Sequence, residues 1–281
     1  MGTREFDRAV DAAIDAALRE DMPEGDITSE SVIPASAVSE AVFLAKEDGV
    51  LAGLAVARRV FEKLDPSVEF IENAHDGAAL HKADILARLK GPTIALLKGE
   101  RTALNFLQHL SGVATATRRF VDAVAGTKTR ILDTRKTTPG LRLLEKYAVK
   151  TGGGSNHRLS LSDMVLIKDN HLRHVGSVAE AVRRARAAIP PGVRIEVEAA
   201  DPAQVRDALA AGADMIMLDN MTLEAMREAV ALAAGRVPLE ASGSMSLDRV
   251  RAVAETGVDY ISVGALTHSA RAVDISLDFL N

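Results

Sequence analysis

Six short apolar runs in the second half of this chain each stop at a charged or small residue. Their ends fall near Asp133, Lys168, Glu198, Asp219, Ser242 and Gly264. The last four ends are 21, 23 and 22 residues apart, the length of one strand and one helix. Between the runs, apolar residues recur at helical spacing over 178–188, 202–211, 223–234 and 247–256. Strand–helix repetition with no strand-only stretch argues for a parallel sheet. Six units in succession suit a barrel better than an open sheet, although a full barrel has eight strands. The expected fold of this half is an incomplete α/β barrel of six or seven strands.

The first half reads differently. Phe6, Val10, Ile14 and Leu18 recur every four residues, which predicts an amphipathic helix over 4–20. Asp26-Ile27-Thr28 is a capped turn or a ligand loop, the turn being favoured. Strands are expected over 38–51, 68–71, 85–89 and 94–97, with a helix over 53–64. From Glu100 a long helical pattern runs past Ser111-Gly112 to Val124. This predicts an N-terminal α/β domain over 1–105 and a barrel domain over 106–269. Whether the tail after Leu266 returns to the first domain is open from the residues alone.

Several function classes lose support. GxxxxGK[ST], GxGxxG and HExxH are absent, so P-loop, dinucleotide-fold and zinc-protease readings have no motif behind them. No serine sits in a nucleophile elbow. With no cysteine there is no thiolate metal site or cysteine nucleophile. No apolar run approaches the roughly 20 residues needed to span a bilayer, and no signal segment opens the chain, so a cytoplasmic protein is expected. Aromatic content of 3% leaves little for base stacking.

Charge is uneven. From Lys98 to Lys168 there are thirteen Lys and Arg against five Asp and Glu, within a chain of net charge −5. A basic centre in an acidic protein points to a small anionic ligand in a pocket, not to nucleic acid on an outer face. Arg135 and Lys136 follow an apolar run directly; each alone would be an ordinary turn residue. Lys168 follows four apolar residues, so its stem starts at a sheet edge, where a lysine holds a phosphate or forms a Schiff base. His157-Arg158 follows three glycines. That is either a flexible loop with a chance histidine or a mobile backbone bringing two donors onto an anion. Glu196 and Glu198 share one face of a strand. The one at the tip, Glu198, would meet ligand, and the deeper one would need a partner. Asp219 ends the next run, and two carboxylates on neighbouring strand tips suit Mg²⁺ or ribose hydroxyls; capping of the next helix is the alternative for Asp219. Ser242-Gly243-Ser244 and Gly264-Ala265 end the last two runs. They are tight turns or, taken together, a phosphate cradle at the C-terminal ends of the barrel strands.

The chain resembles the quinolinate phosphoribosyltransferase family, also called nicotinate-nucleotide pyrophosphorylase (carboxylating). Ordered blocks carry the resemblance nearly end to end: Gly25-Asp26-Ile27-Thr28, Gly99-Glu100-Arg101-Thr102, His109-Leu110-Ser111-Gly112, Asp133-Thr134-Arg135-Lys136-Thr137, Gly152-Gly153-Gly154-Ser155-Asn156-His157-Arg158, Leu166-Ile167-Lys168-Asp169-Asn170-His171, Glu196-Val197-Glu198, Leu218-Asp219-Asn220, Glu240-Ala241-Ser242-Gly243 and Ser262-Val263-Gly264-Ala265. The resemblance implies an N-terminal α/β sandwich, rejoined by a tail over 270–281, and an incomplete barrel. It implies conversion of quinolinate and phosphoribosyl pyrophosphate to nicotinate mononucleotide, pyrophosphate and CO₂ with Mg²⁺. It also implies a homodimer or higher assembly, with no nucleic acid or membrane partner. On matching positions, Arg101 from the partner subunit, Thr134, Arg135, His157, Arg158 and Lys168 would bind quinolinate, with Lys136 nearer the phosphates. Glu198 and Asp219 would hold ribose and Mg²⁺, and Ser242, Gly243, Ser244, Gly264 and Ala265 the 5′-phosphate. Lys136, Lys168, Glu198 and Asp219 would be the catalytic set. Three departures stand out: Ala199-Ala200 where relatives often carry Val and an acid, Ser244 where Gly or Asn is common, and Ala83 in place of a frequent Gly.

Two other classes stay open from the residues. One is an aldolase-like barrel using Lys168 as a Schiff base. The other is a non-catalytic binder of a phosphorylated metabolite.

Overall fold

The computed structural model describes residues 3–280. The strands in chain order are β1 (Val38–Ala45), β2 (Gly49–Val50), β3 (Glu69–Glu72), β4 (Ala79–Leu80), β5 (Ile85–Pro92), β6 (Arg130–Leu132), β7 (Val165–Ile167), β8 (Ile195–Ala199), β9 (Met215–Asp219), β10 (Leu239–Ser242), β11 (Tyr260–Ser262) and β12 (Ile275–Leu280). The chain forms two compact units: 1–118 with 137–153 and 269–281, and 119–136 with 154–268.

In the first unit, β12, β1, β5 and β3 form a four-stranded sheet in that order. The pairs β1·β12, β1·β5 and β3·β5 are all antiparallel. Alternation along β1 buries Ala41, Phe43 and Ala45, and Phe43 meets Phe61 of the helix Leu54–Leu64 edge-on at 6.2 Å. Asp26 caps the helix Ile27–Val32, its Oδ1 accepting the Thr28 and Ser29 amides at 3.0 Å.

Three expectations for this half are corrected. The strand expected over 94–97 is the first turn of the helix Thr93–Ala123, which therefore begins seven residues before Glu100. A short buried apolar run has no periodicity that separates strand from helix. The expected strand over 38–51 is interrupted after Ala45 and resumes only as β2. The boundary expected at residue 105 does not divide the units either. Residues 106–118 stay in the first unit, and the division falls within the helix Thr93–Ala123, at Arg119. Residues 137–153 also belong there: their helix Arg142–Thr151 packs on the helix Thr3–Asp21, with Phe6 and Tyr147 rings 5.1 Å apart.

The second unit holds a six-stranded sheet in the order β6-β11-β10-β9-β8-β7, every pair parallel. Chain neighbours from β7 to β11 are sheet neighbours. The sheet then curls so that β11 pairs with β6, leaving the barrel open between β6 and β7. The free edge of β6 is met by Ser155, bridged in parallel to Leu132. Two aspartates tie the N-terminal ends of the strands: Asp214 Oδ2 accepts the Ile195 amide at 2.7 Å and Asp259 Oδ2 the Leu239 amide at 2.9 Å. These acids brace the end of the barrel opposite the strand tips, where barrels keep stability rather than chemistry.

Candidate active site

A cavity of about 720 Å³ opens at the C-terminal ends of the barrel strands. Four cations line it: Arg135, Lys136, Arg158 and Lys168. Glu198 and Asp219 line it with them, as do Ser242, Gly243, Ser244, Gly264, Ala265, Thr134 and His157. Strand geometry explains the set. Each apolar run stays buried to its last residues, so the first polar side chains after it emerge at the barrel mouth.

Local hydrogen bonds fix these tips. Thr134 Oγ1 accepts the Lys136 amide at 3.0 Å, and Thr267 Oγ1 donates to the Lys136 carbonyl at 2.7 Å. His171 Nδ1 accepts the Lys168 amide at 2.9 Å where β7 turns into the helix Asp169–Val175. Lys168 Nζ reaches Glu198 Oε2 at 3.2 Å. Asn220 Nδ2 donates to Asp219 Oδ2 at 2.9 Å and holds that carboxylate in line.

The turn after β10 is tight. Gly243 has φ +103°, and a Cβ there would sit 2.1 Å from Asn220 Oδ1. Asn220 and Ser244 also have positive φ, 53° and 37°. A left-handed position is why Gly or Asn suits the Ser244 site better than a serine.

The segment after the three glycines is pinned, in contrast to the mobile backbone expected for it. The Ser155 amide donates to the Ile131 carbonyl at 2.8 Å, and the fully buried Asp133 accepts the His157 amide at 2.9 Å. His157 points its ring inward. Nε2 lies 3.1 Å from Glu196 Oε2 and 3.2 Å from Glu240 Oε2, and Nδ1 accepts the Arg158 amide at 2.7 Å. Burial opposes a charge on this ring, but hydrogen bonds to Glu196 and Glu240 outweigh it and hold the histidine up at about 9. Burial raises the Glu196 carboxyl, against the pull of His157. Burial and the Arg135 charge both press on Arg158, which Glu196 supports; Arg158 Nη1 donates to the Met164 carbonyl at 3.0 Å.

Arg101 does not line the cavity. It is exposed in the first unit, eight residues inside its helix instead of in the first turn, and its guanidinium is 4.0 Å from Glu100. Sequence reasoning missed Glu240, Asn220 and His268 as lining residues. Glu240 could have been found, because it stands two residues before Ser242 as Glu196 stands two before Glu198. Among the described residues, His157, Glu196 and Glu240 form a three-residue cluster whose ligand atoms are close enough together to hold a metal.

A parallel barrel that opens so cationic a cavity at its strand tips belongs to the enzymes that bind small polyanions and react them there. Family models narrow the class: the C-terminal domain of quinolinate phosphoribosyl transferase matches residues 113–278 and its N-terminal domain residues 26–111. The chain belongs to the quinolinate phosphoribosyltransferase family. It is 48% identical to the probable nicotinate-nucleotide pyrophosphorylase (carboxylating) of Bacillus subtilis, over 92% of this chain and 89% of that protein. It is 46% identical to the nicotinate-nucleotide pyrophosphorylase (carboxylating) of Mycobacterium leprae, over 98% of both. The crystal structure of NadC from Streptococcus pyogenes superposes with a TM-score of 0.93 at 44% identity, covering 97% of each chain.

Proposed function

We propose that this chain transfers the phosphoribosyl group of phosphoribosyl pyrophosphate to quinolinate with loss of CO₂, giving nicotinate mononucleotide and pyrophosphate for NAD biosynthesis. The observation that carries the reading is one cavity lined by four cations together with the carboxylates of Glu198, Asp219 and Glu240, in a chain of this family. Quinolinate is a dianion, and Arg135, Arg158 and Lys168 supply the charge-assisted contacts its two carboxylates need. Lys136 lies toward the phosphates, and the turns Ser242-Gly243-Ser244 and Gly264-Ala265 take the 5′-phosphate through backbone N–H groups.

The chemistry follows from charge. As pyrophosphate departs, positive charge builds on the ribose, and Glu198 and Asp219 are fixed anions beside it. Glu198 is paired with Lys168 at 3.2 Å, so substrate entry redistributes that pair: the lysine to a quinolinate carboxylate, the glutamate to ribose hydroxyls. Loss of the 2-carboxylate leaves an electron pair next to a ring nitrogen made cationic by glycosylation, so the nucleotide is its own electron sink. Glu198 and Asp219 also suit Mg²⁺. Two hard oxygen donors on neighbouring strands fit an ion that keeps water and substrate phosphate as further ligands, not a closed protein cage. When bound there, Mg²⁺ supplies charge neutralisation of the pyrophosphate leaving group.

The protein is further read as a cytoplasmic homodimer, or a higher assembly of dimers, in which Arg101 of one subunit completes the site of the other. No described helix is long and apolar enough to cross a membrane. Exposure of the Arg101 guanidinium supports a role at an interface.

Substrate choice tests the function. Nicotinate lacks one carboxylate and would forgo a charge-assisted contact to a cavity cation, lowering kcat/KM by roughly tenfold or more. Turnover of nicotinate and quinolinate at equal efficiency would overturn the reading.

A further inference from the structure

At the inner wall of the cavity, which His157 and Glu240 line, stands a trio whose two glutamates the proposed chemistry leaves unused. Glu196 on β8 and Glu240 on β10 are wholly buried, and their strands flank β9, so both reach the same interior. His157 Nε2 stands between them. Its Nδ1 accepts the Arg158 amide N–H, so the ring carries its proton on Nε2 in this arrangement. The outer oxygens, Glu196 Oε1 and Glu240 Oε1, have no hydrogen-bond partner, so the His157 ring is what holds each carboxylate. Burial pushes the Glu196 carboxyl up, against the pull of its hydrogen bond to His157.

This trio is connected to one cavity cation. His157 and Arg158 are consecutive, the ring of the first holds the amide of the second, and Glu196 supports the Arg158 charge against Arg135, with Asp163 assisting. We infer that Glu196 and Glu240 are positioning residues for Arg158: by clamping the His157 ring from beneath, they fix the Arg158 backbone and aim its guanidinium at a carboxylate of the substrate. The inference rests on the proposed function, in which that carboxylate belongs to quinolinate.

The test uses Glu196→Gln and Glu240→Gln in the full-length protein, each with far-UV circular dichroism to show that the fold is kept. Glutamine preserves shape and removes the charge. Each variant should raise KM for quinolinate about tenfold, the effect of one weakened charge-assisted contact, while KM for phosphoribosyl pyrophosphate holds. Nitrogen-15 NMR of the wild-type imidazole should show a hydrogen-bonded proton on Nε2, with a shift that either glutamine variant changes. An unchanged KM for quinolinate and an unchanged imidazole signal would overturn the inference, as would an equal loss toward both substrates. Binding of Mn²⁺ by the wild type but not by Glu240→Gln would overturn it too, since the trio would then be a metal site. If the wild type fails to bind quinolinate in calorimetry, the functional reading fails instead, and the imidazole spectrum still decides whether the clamp exists.

Discussion

Ala83 has φ +78°, a left-handed conformation that costs a residue with a Cβ about 1–2 kcal/mol. Its amide is held by the Ala45 carbonyl at 2.8 Å, so the turn cannot relax without losing that bond. Replacing Ala83 by glycine removes the strain and returns part of the gain as unfolded-chain entropy. Ala83→Gly should therefore stabilise the protein by about 1 kcal/mol, read as a rise of about 2–4 °C in the thermal midpoint. A midpoint that falls would show the turn is not strained. Residue-scale legibility has a clear limit. Arg135, Lys168, Glu198 and Asp219 were readable because each follows an apolar run that fixes where its side chain emerges. The partners of His157 were not, since Glu196 and Glu240 lie 39 and 83 residues away and local pattern carries no record of such a meeting.

At the scale of elements, periodicity served where strands and helices alternate. The helices expected over 178–188 and 202–211 stand at Val178–Ala188 and Pro202–Ala210, and the runs ending at Asp219 and Ser242 are β9 and β10. It failed at Ile94–Leu97, a short apolar run with no polar face, and at the helix Arg142–Thr151, which opens on Leu141 with no side-chain cap to mark its start. The helix Thr93–Ala123 meets the tail of the chain at Gly112. A Cβ there would lie 2.3 Å from the Arg271 carbonyl oxygen, which is backbone and cannot step aside cheaply. Helix propensity favours alanine by about 1 kcal/mol, but overpacking against backbone costs about 1–3 kcal/mol. Gly112→Ala should thus lower the urea midpoint at unchanged slope; a midpoint that rises would mean the tail moves away freely.

At the scale of the whole molecule, chain order concealed the division into units. A segment of seventeen residues, 137–153, leaves the barrel between β6 and β7 to join the first unit, and no composition shift marks either crossing. The assembly is a further level. If Arg101 acts in trans, Arg101→Ala and Lys168→Ala should each be inactive alone, yet regain activity when mixed under conditions that exchange subunits. A mixed dimer has one site with both defects and one with neither, so about a quarter of wild-type activity is the upper expectation at random exchange. Confirmed exchange without activity would place Arg101 outside the partner's site.

The purified protein should be incubated with quinolinate, phosphoribosyl pyrophosphate and Mg²⁺, and nicotinate mononucleotide, pyrophosphate and CO₂ quantified together by mass spectrometry and gas trapping. The three products should appear in equal amounts, with none when either organic substrate is omitted. Absence of nicotinate mononucleotide from a folded protein, or CO₂ released without a matching nucleotide, would contradict the proposed reaction.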